Sequence, residues 1–278
     1  MAWSSFALNL PLALGAAVLW LLFAFLVSRI VHRHAVIDVF WGSGFLVVAL
    51  ESFLAARTMS ANSVDPWFSG STASTTRLVA LCAVAVWSLR LSGYLALRQR
   101  GAGEDPRYTR ILRGAKGKNE TLYALKMIYG FQMVLLFFIS IPLQFIAFAH
   151  QSFLPLMMVG AVLMVVGICF ESVADFQLRK FLANQENRGT TLRTGLWATT
   201  RHPNYFGDAV VWWGIFVIAA STGWGALSIA SPLAMTYLLT SVSGKPMLEA
   251  KLQKTREGYE DYVATTSGFF PRRPKRNG

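Results

Sequence analysis

Two short stretches of this chain place acids, arginines, an amide and aromatic rings at spacings suited to holding a polar ligand. The first, CFESVADFQLRKFL, carries Glu171, Asp175 and Arg179 four residues apart in succession, which stacks them on one face of a helix. The second, GLWATTRHPNYFGDAVVWWG, carries Arg201, His202, Asn204, Tyr205 and Asp208 around Pro203. Proline fits the first turn of a helix, where its missing N–H costs nothing. Donors, a ring and a carboxylate therefore converge at a predicted helix N-terminus, a favourable place for an anionic group. The chemistry that fits is the binding of a ligand with phosphates or a similarly polar group. A plain alternative for the first stretch is an Asp175–Arg179 ion pair within the helix at a membrane edge. For the second it is a helix cap, which one Ser or Asp would supply without the rest.

The elements that must hold these residues are built for lipid. Only 14% of the 278 residues are charged and 54% are hydrophobic, whereas soluble domains carry about 25% charged residues. A helical span of the hydrocarbon core takes about 20 apolar residues. Qualifying stretches run near 10–29, 37–56, 78–96, 125–149, 153–171, 207–222 and 225–243. The last two are close enough to form a hairpin. No ten-residue alternation suggests a barrel, and backbone groups in lipid must be paired, so the expected fold is all-α. The reading is a polytopic membrane protein of about seven transmembrane helices in a single domain, residues 1–278.

The net charge of +12 falls in alternate loops. Arg29 and Arg33 follow the first span, and the stretch 97–124 after the third holds Arg98, Arg100, Arg107, Arg110, Arg113, Lys116 and Lys118. Arg179, Lys180, Arg188, Arg193 and Arg201 follow the fifth, and Arg272, Arg273, Lys275 and Arg276 follow the last. The other loops carry little beyond Arg57, Asp65, Arg77 and His150. This alternation predicts the N-terminus outside and the C-terminus cytoplasmic. It also accounts for the basic charge without nucleic acid. Cys82 and Cys169 fall inside spans and are expected to be buried, with no disulfide framework or zinc site. The sequence holds no Gly-rich dinucleotide fingerprint, no P-loop and no HExxH. No metal site, internal repeat or obligate protein partner is evident.

The segment GLWATTRHPNYFGD, with FESVAD upstream and LEAKLQKTREGYEDYVATTSGFFP downstream, resembles the steroid 5α-reductase family, its bacterial membrane homologues and the sterol C14-reductases. The likeness covers about 165–271 well and 80–110, WSLRLSGYLALRQRGAGEDPRY, moderately. It implies a seven-helix bundle that uses NADPH to reduce the C=C bond of a conjugated enone, a 3-oxo-Δ4-steroid or a related lipophilic enone entering from the bilayer. By that resemblance Arg90, Asp175, Asn204 and Asp208 contact the cofactor, with Glu171 and Arg179 on the Asp175 face. Arg98, Arg100 and Arg107 are candidate phosphate contacts. Arg201, His202, Tyr205, Arg256, Tyr259 and Tyr262 are further candidates around the cofactor.

The resemblance places a catalytic acid in the second span, where Glu51 is the deep acid and Asp38 lies nearer the cytoplasmic end. A carboxyl in lipid without a basic partner is expected to stay protonated and can then donate a hydrogen bond to a ketone oxygen. Trp87 stands where the steroid enzymes have a tyrosine, which leaves Tyr94 as a candidate helper. A rival resemblance is to membrane methyltransferases of the isoprenylcysteine carboxyl methyltransferase type, through RHPxY and Glu249, which implies S-adenosylmethionine instead. Asn204 within RHPNY, Gly207–Asp208 and the arginine-rich third loop favour the reductase side. The expected location is a bacterial inner membrane with the cofactor site facing the cytoplasm.

Overall fold

The computed structural model describes residues 3–59, 71–242 and 244–274, whose regular structure is helical throughout. Asp65, Lys275 and Arg276 lie outside the described residues.

The chain opens with α1 (Trp3–Val31), which is apolar on all sides. It stops where His32 takes a left-handed conformation (φ 55°) and Arg33 N–H reaches back to the Ser28 carbonyl, a Schellman-type end. A short 3₁₀ turn leads into α2 (Ile37–Met59). Ser71 caps α3 (Thr72–Arg98) by accepting from Ser74 N–H. Asp105 caps α4 (Pro106–Leu112), whose first residue is a proline. Asn119 caps α5 (Glu120–Ala124), which continues through a π-helical turn, Leu125–Gly130, into α6 (Phe131–Ile139). Pro142 lacks the N–H that would carry α6 onward, so the chain breaks at Ser140 and restarts as α7 (Ile141–Ala147). The long α8 (Leu154–Ala183) and α9 (Pro203–Ala220) follow. The chain then forms α10 (Ala230–Tyr237), α11 (Lys245–Thr255) and α12 (Tyr259–Thr265).

Among the described residues, six helical segments are long and apolar enough to cross a membrane: Trp3–Val31, His34–Met59, Thr72–Arg98, Glu120–Ile139, Leu154–Ala183 and Trp224–Thr255. The chain is an all-α polytopic membrane protein with about six such helices. The expected span at 207–222 corresponds to α9, which is 18 residues long and begins with Pro203, Asn204 and, one turn on, Asp208. Those polar turns keep it outside the set. Leu8, Leu19, Leu26, Val86, Leu89, Val162 and Val165 are each more than half exposed, which suits helices whose outer solvent is hydrocarbon. Cys82 and Cys169, expected to be buried, are exposed on α3 and α8. In lipid the exterior is itself apolar, so a thiol has no reason to turn inward.

The helices separate into two compact units, Met1–Met157 with Ile218–Ser231, and Met158–Val217 with Pro232–Gly278. The axis of the first unit is α2, buried over 50% of its span against 22% for α1 and α3. Its glycines permit close approach. Gly42 faces Leu91 and Ser92 of α3, and Gly44 faces Leu136 of α6 and Trp20 of α1. Phe45 of α2 packs on Trp87 of α3, ring centroids 5.9 Å apart. In the second unit α8 and α9 touch backbone to backbone. A Cβ on Gly207 would stand 2.6 Å from the Glu171 nitrogen, and one on Gly214 2.8 Å from the Gly160 carbonyl. Gly160 with Gly167, and Gly207 with Gly214, recur every seven residues. That spacing keeps each pair on one face, and in lipid small residues of this kind let helix backbones approach closely.

Candidate functional site

In the second unit the close α8–α9 contact positions the predicted polar residues. Gly207 lets the start of α9 lie against Glu171, and Asn204, in the first turn of α9, donates from Nδ2 to Asp175 Oδ1 at 3.3 Å. Glu171 and Asp175 are each 3% exposed, although they sit near the end of an apolar helix, where a buried carboxylate is costly without a partner or ligand. Asn204 Oδ1 accepts from Tyr205 N–H. On either side of Asp175 along α8, Gln177 accepts from Leu196 N–H at 3.0 Å and the Ala174 carbonyl accepts from the Trp197 indole at 3.1 Å. These bonds pin the loop before α9 to α8. Arg179 lies over the Phe176 ring at 5.9 Å, on the exposed side of α8.

Around the turn before α9 the geometry is tighter. Arg201 Nε donates to Glu249 Oε1 at 2.8 Å, and its Nη1 donates to the carbonyls of Val263 and Thr266 at 3.1 and 2.6 Å. His202 Nε2 bonds the same Glu249 oxygen at 2.9 Å, and its ring stacks on Tyr205 at 5.4 Å. Burial pushes the His202 imidazole below its ordinary value, against the pull of Glu249. A neutral ring that donates from Nε2 leaves Nδ1 as an acceptor, and this buried atom has no partner among the described residues. Tyr262 donates to the Trp197 carbonyl at 2.5 Å, and Tyr259 is 2% exposed, its hydroxyl pushed up to about 12 by burial. Arg256 ends α11, its N–H bonded to the Leu252 carbonyl. Arg201, Tyr259 and Tyr262 thus serve to fold the C-terminal segment onto the turn that begins α9. From sequence they are candidates around the cofactor, and this burial and these bonds are not visible there.

The first unit holds the remaining predicted residues. Glu51 is half-buried on α2, and its Oε2 accepts from the Ser52 hydroxyl at 3.2 Å. Behind it lies a polar chain that sequence reasoning missed. Asn9 of α1 donates to Ser52 Oγ at 3.2 Å and to Gln144 Oε1 of α7 at 3.3 Å, and Gln144 donates to Ser140 at 3.3 Å. All four of these side chains are 0% exposed. The available signal was simple: Asn9 and Gln144 are amides inside apolar runs, and an intramembrane polar residue marks a site or a helix contact.

Arg90 and Tyr94, one turn apart on α3, are half-buried, and Arg98 and Arg100 are exposed beyond them. Arg107 is committed elsewhere, donating to Asp38 at 2.5 Å and to Asp105 at 3.0 Å. Burial works against its charge, but Asp38 beside it raises its pKa above the ordinary guanidinium value. Asp38 also accepts from the buried Tyr108 hydroxyl at 2.5 Å. Glu104 accepts from the His34 and Ala35 N–H groups at 2.5 and 2.8 Å. The segment Glu104–Tyr108, the entry to α4, is therefore a lock on the start of α2. Trp87 sits in the core at 0% exposure. Among the described residues, no group of three His, Cys, Asp or Glu side chains is placed to hold a metal ion.

Comparison with curated proteins and with solved structures gives no match. A family model described as a protein of unknown function, DUF1295, matches residues 24–266, from within α1 to the end of α12. That stretch takes in both carboxylates of α8, the RHPNY turn, the Asp38 lock and Glu51, so the chain, an all-α protein of several membrane spans, belongs to the DUF1295 family.

Proposed function

We propose that the chain is a membrane enzyme that reduces the carbon–carbon double bond of a lipophilic conjugated enone with NADPH. In this reading the C-terminus and the cofactor face are cytoplasmic, and the N-terminus is outside a bacterial inner membrane. The observation that carries it is the pairing of Asn204 with Asp175 beside buried Glu171. Two carboxylates and an amide on one helix contact suit the hydroxyls and amide of a nucleotide cofactor, since carboxylates are acceptors and such groups are donors. Asn204, Asp175, Glu171 and Asp208 would hold NADPH there, and exposed Arg179 of the same unit would supply charge for its phosphates.

When bound, NADPH would supply a hydride to the β-carbon of the enone, and a proton from water taken up at the α-carbon would complete the reduction. Glu51, in its acid form, donates a hydrogen bond to the carbonyl oxygen and stabilises the negative charge that develops on it. Ser52, donating to the other carboxyl oxygen, orients that acid. Tyr94 is the nearest counterpart to the tyrosine of the resembling enzymes, because Trp87 is packed on Phe45 and has no hydroxyl. The lipid-facing helices let an apolar substrate enter sideways.

The test is a thermal-shift series on detergent-purified protein with NADPH, NADH and S-adenosylmethionine, followed by NADPH oxidation with a 3-oxo-Δ4-steroid. A ligand that binds only the folded state adds about 2.7 kcal/mol at a hundredfold excess over its Kd. Stabilisation by NADPH alone and enone-dependent oxidation are expected. A shift with S-adenosylmethionine alone would replace this reading with the second one, a membrane methyltransferase. The observation favouring that alternative is Glu249 bound to both Arg201 and His202 of the RHP turn.

A further inference from the structure

We propose that the hairpin from α4 to α5 is a seat for anionic phospholipid headgroups. Between Arg98 and Lys126 the sequence mixes eight basic residues with Glu104, Asp105 and Glu120, so its outward character cannot be read from composition. The fold sorts these charges. Glu104 is turned onto the N–H groups of His34 and Ala35, and Asp105 caps α4 and holds Arg107. The acids are thereby spent inward together with one arginine. Arg110, Arg113, Lys116 and Lys118 stay exposed, as does Lys126, with Glu120 as the exposed acid among them.

The basic segment is also shaped. Tyr123 packs against Gly114, where a Cβ would collide with its hydroxyl, and Lys118 lies 5.4 Å from the same ring. Lys118 N–H closes a turn onto the Ala115 carbonyl at 2.8 Å, around Gly117 in a left-handed conformation. Asn119 then caps the helix that enters the membrane span Glu120–Ile139. Immediately below the charges that span shows Leu122 (64% exposed), Met127 (43%), Phe131 (57%) and Val134 (57%). A fixed cationic cap above an exposed apolar stripe matches one phosphate headgroup with its acyl chains, and a free anion would use only the upper half. Basic residues beside a span attract anionic lipid.

The test uses the delipidated full chain in detergent, with phosphatidylglycerol and phosphatidylcholine of the same acyl length, read by native mass spectrometry. Phosphatidylglycerol is expected to bind at least about tenfold more tightly. R110Q/R113Q/K116Q/K118Q should abolish that preference, while K180Q/R188Q/R272Q/R273Q, with the same charge loss in the second unit, should keep it. For the wild type the preference should also fall as salt rises, a reading that needs no variant to fold. Inorganic phosphate at millimolar concentration should leave phosphatidylglycerol binding unchanged. Equal binding of the two lipids, a preference surviving in the first variant, loss in the control variant, or displacement by phosphate would each overturn the proposal.

Discussion

Arg201 of the turn before α9 donates to Glu249 of α11 at 2.8 Å, closing 48 residues of chain on a single ion pair. The pair is buried, with Arg201 8% and Glu249 14% exposed, and it shares its carboxylate with His202. Removing one partner of such a pair leaves a buried charge alone, which costs about 3 kcal/mol or more. Glu249→Gln is therefore expected to lower the Tm of the detergent-purified protein by several degrees. An unchanged Tm would mean that the C-terminal segment is held by its carbonyl and aromatic contacts alone.

His202 gives the pH dependence a sign. Its folded-state pKa lies below the ordinary 6.5 because burial disfavours the imidazolium. Above about pH 6.5 the ring is neutral in both states and contributes nothing to the pH dependence of stability. As the pH falls below that value the unfolded chain gains the proton first, so stability is lost towards acid. Tm measured from about pH 7.5 down to about pH 5.5 should fall, and His202→Gln should flatten that fall. An equal slope in the variant would assign the acid sensitivity to other groups.

Gly207→Ala tests the α8–α9 contact. The added methyl would meet the Glu171 nitrogen at 2.6 Å and the Gly167 carbonyl at 2.8 Å, both of them backbone atoms that cannot swing away. Overpacking of this kind costs about 1–3 kcal/mol. A loss in that range, together with weaker binding of whatever ligand Asn204 and Asp175 share, is the expected outcome of unfolding and titration experiments. Gly93→Ala, inside α3 where nothing lies within 4 Å, is the control and should cost nothing or stabilise slightly, since Ala is the better helix former.

The proposed chemistry separates by unit. Asn204→Ala should weaken NADPH binding strongly and, because it also removes a donor from buried Asp175, lower the Tm of the ligand-free protein modestly. Glu51→Gln should lower enone turnover with little change in NADPH affinity, and Ser52→Ala should do the same to a smaller degree, because it only orients the acid. Titration of each variant with NADPH, followed by steady-state turnover, distinguishes them. Full activity in Glu51→Gln would assign the acid to another group.

Much of the architecture was legible in the sequence because lipid imposes simple rules. Long apolar runs set the number and class of helices to within about one span, and the residue types before Pro203 marked the start of α9. The i, i+4 spacing of Glu171 and Asp175 placed them on the face that meets Asn204. The membrane character and the helical class follow from patterns local in the chain. What only the tertiary structure decided is which charges are spent inside the protein. Arg107 and Arg110 look alike in the sequence, yet one is locked to Asp38 and the other faces outward. Arg201 and Asn204 stand three residues apart, yet the arginine is tied to Glu249 while the amide reaches Asp175. Asn9, Ser52 and Gln144 are scattered polar letters until three helices bring them into one chain of hydrogen bonds. Burial and partnership depend on contacts between segments far apart in sequence, and a short motif carries no record of them.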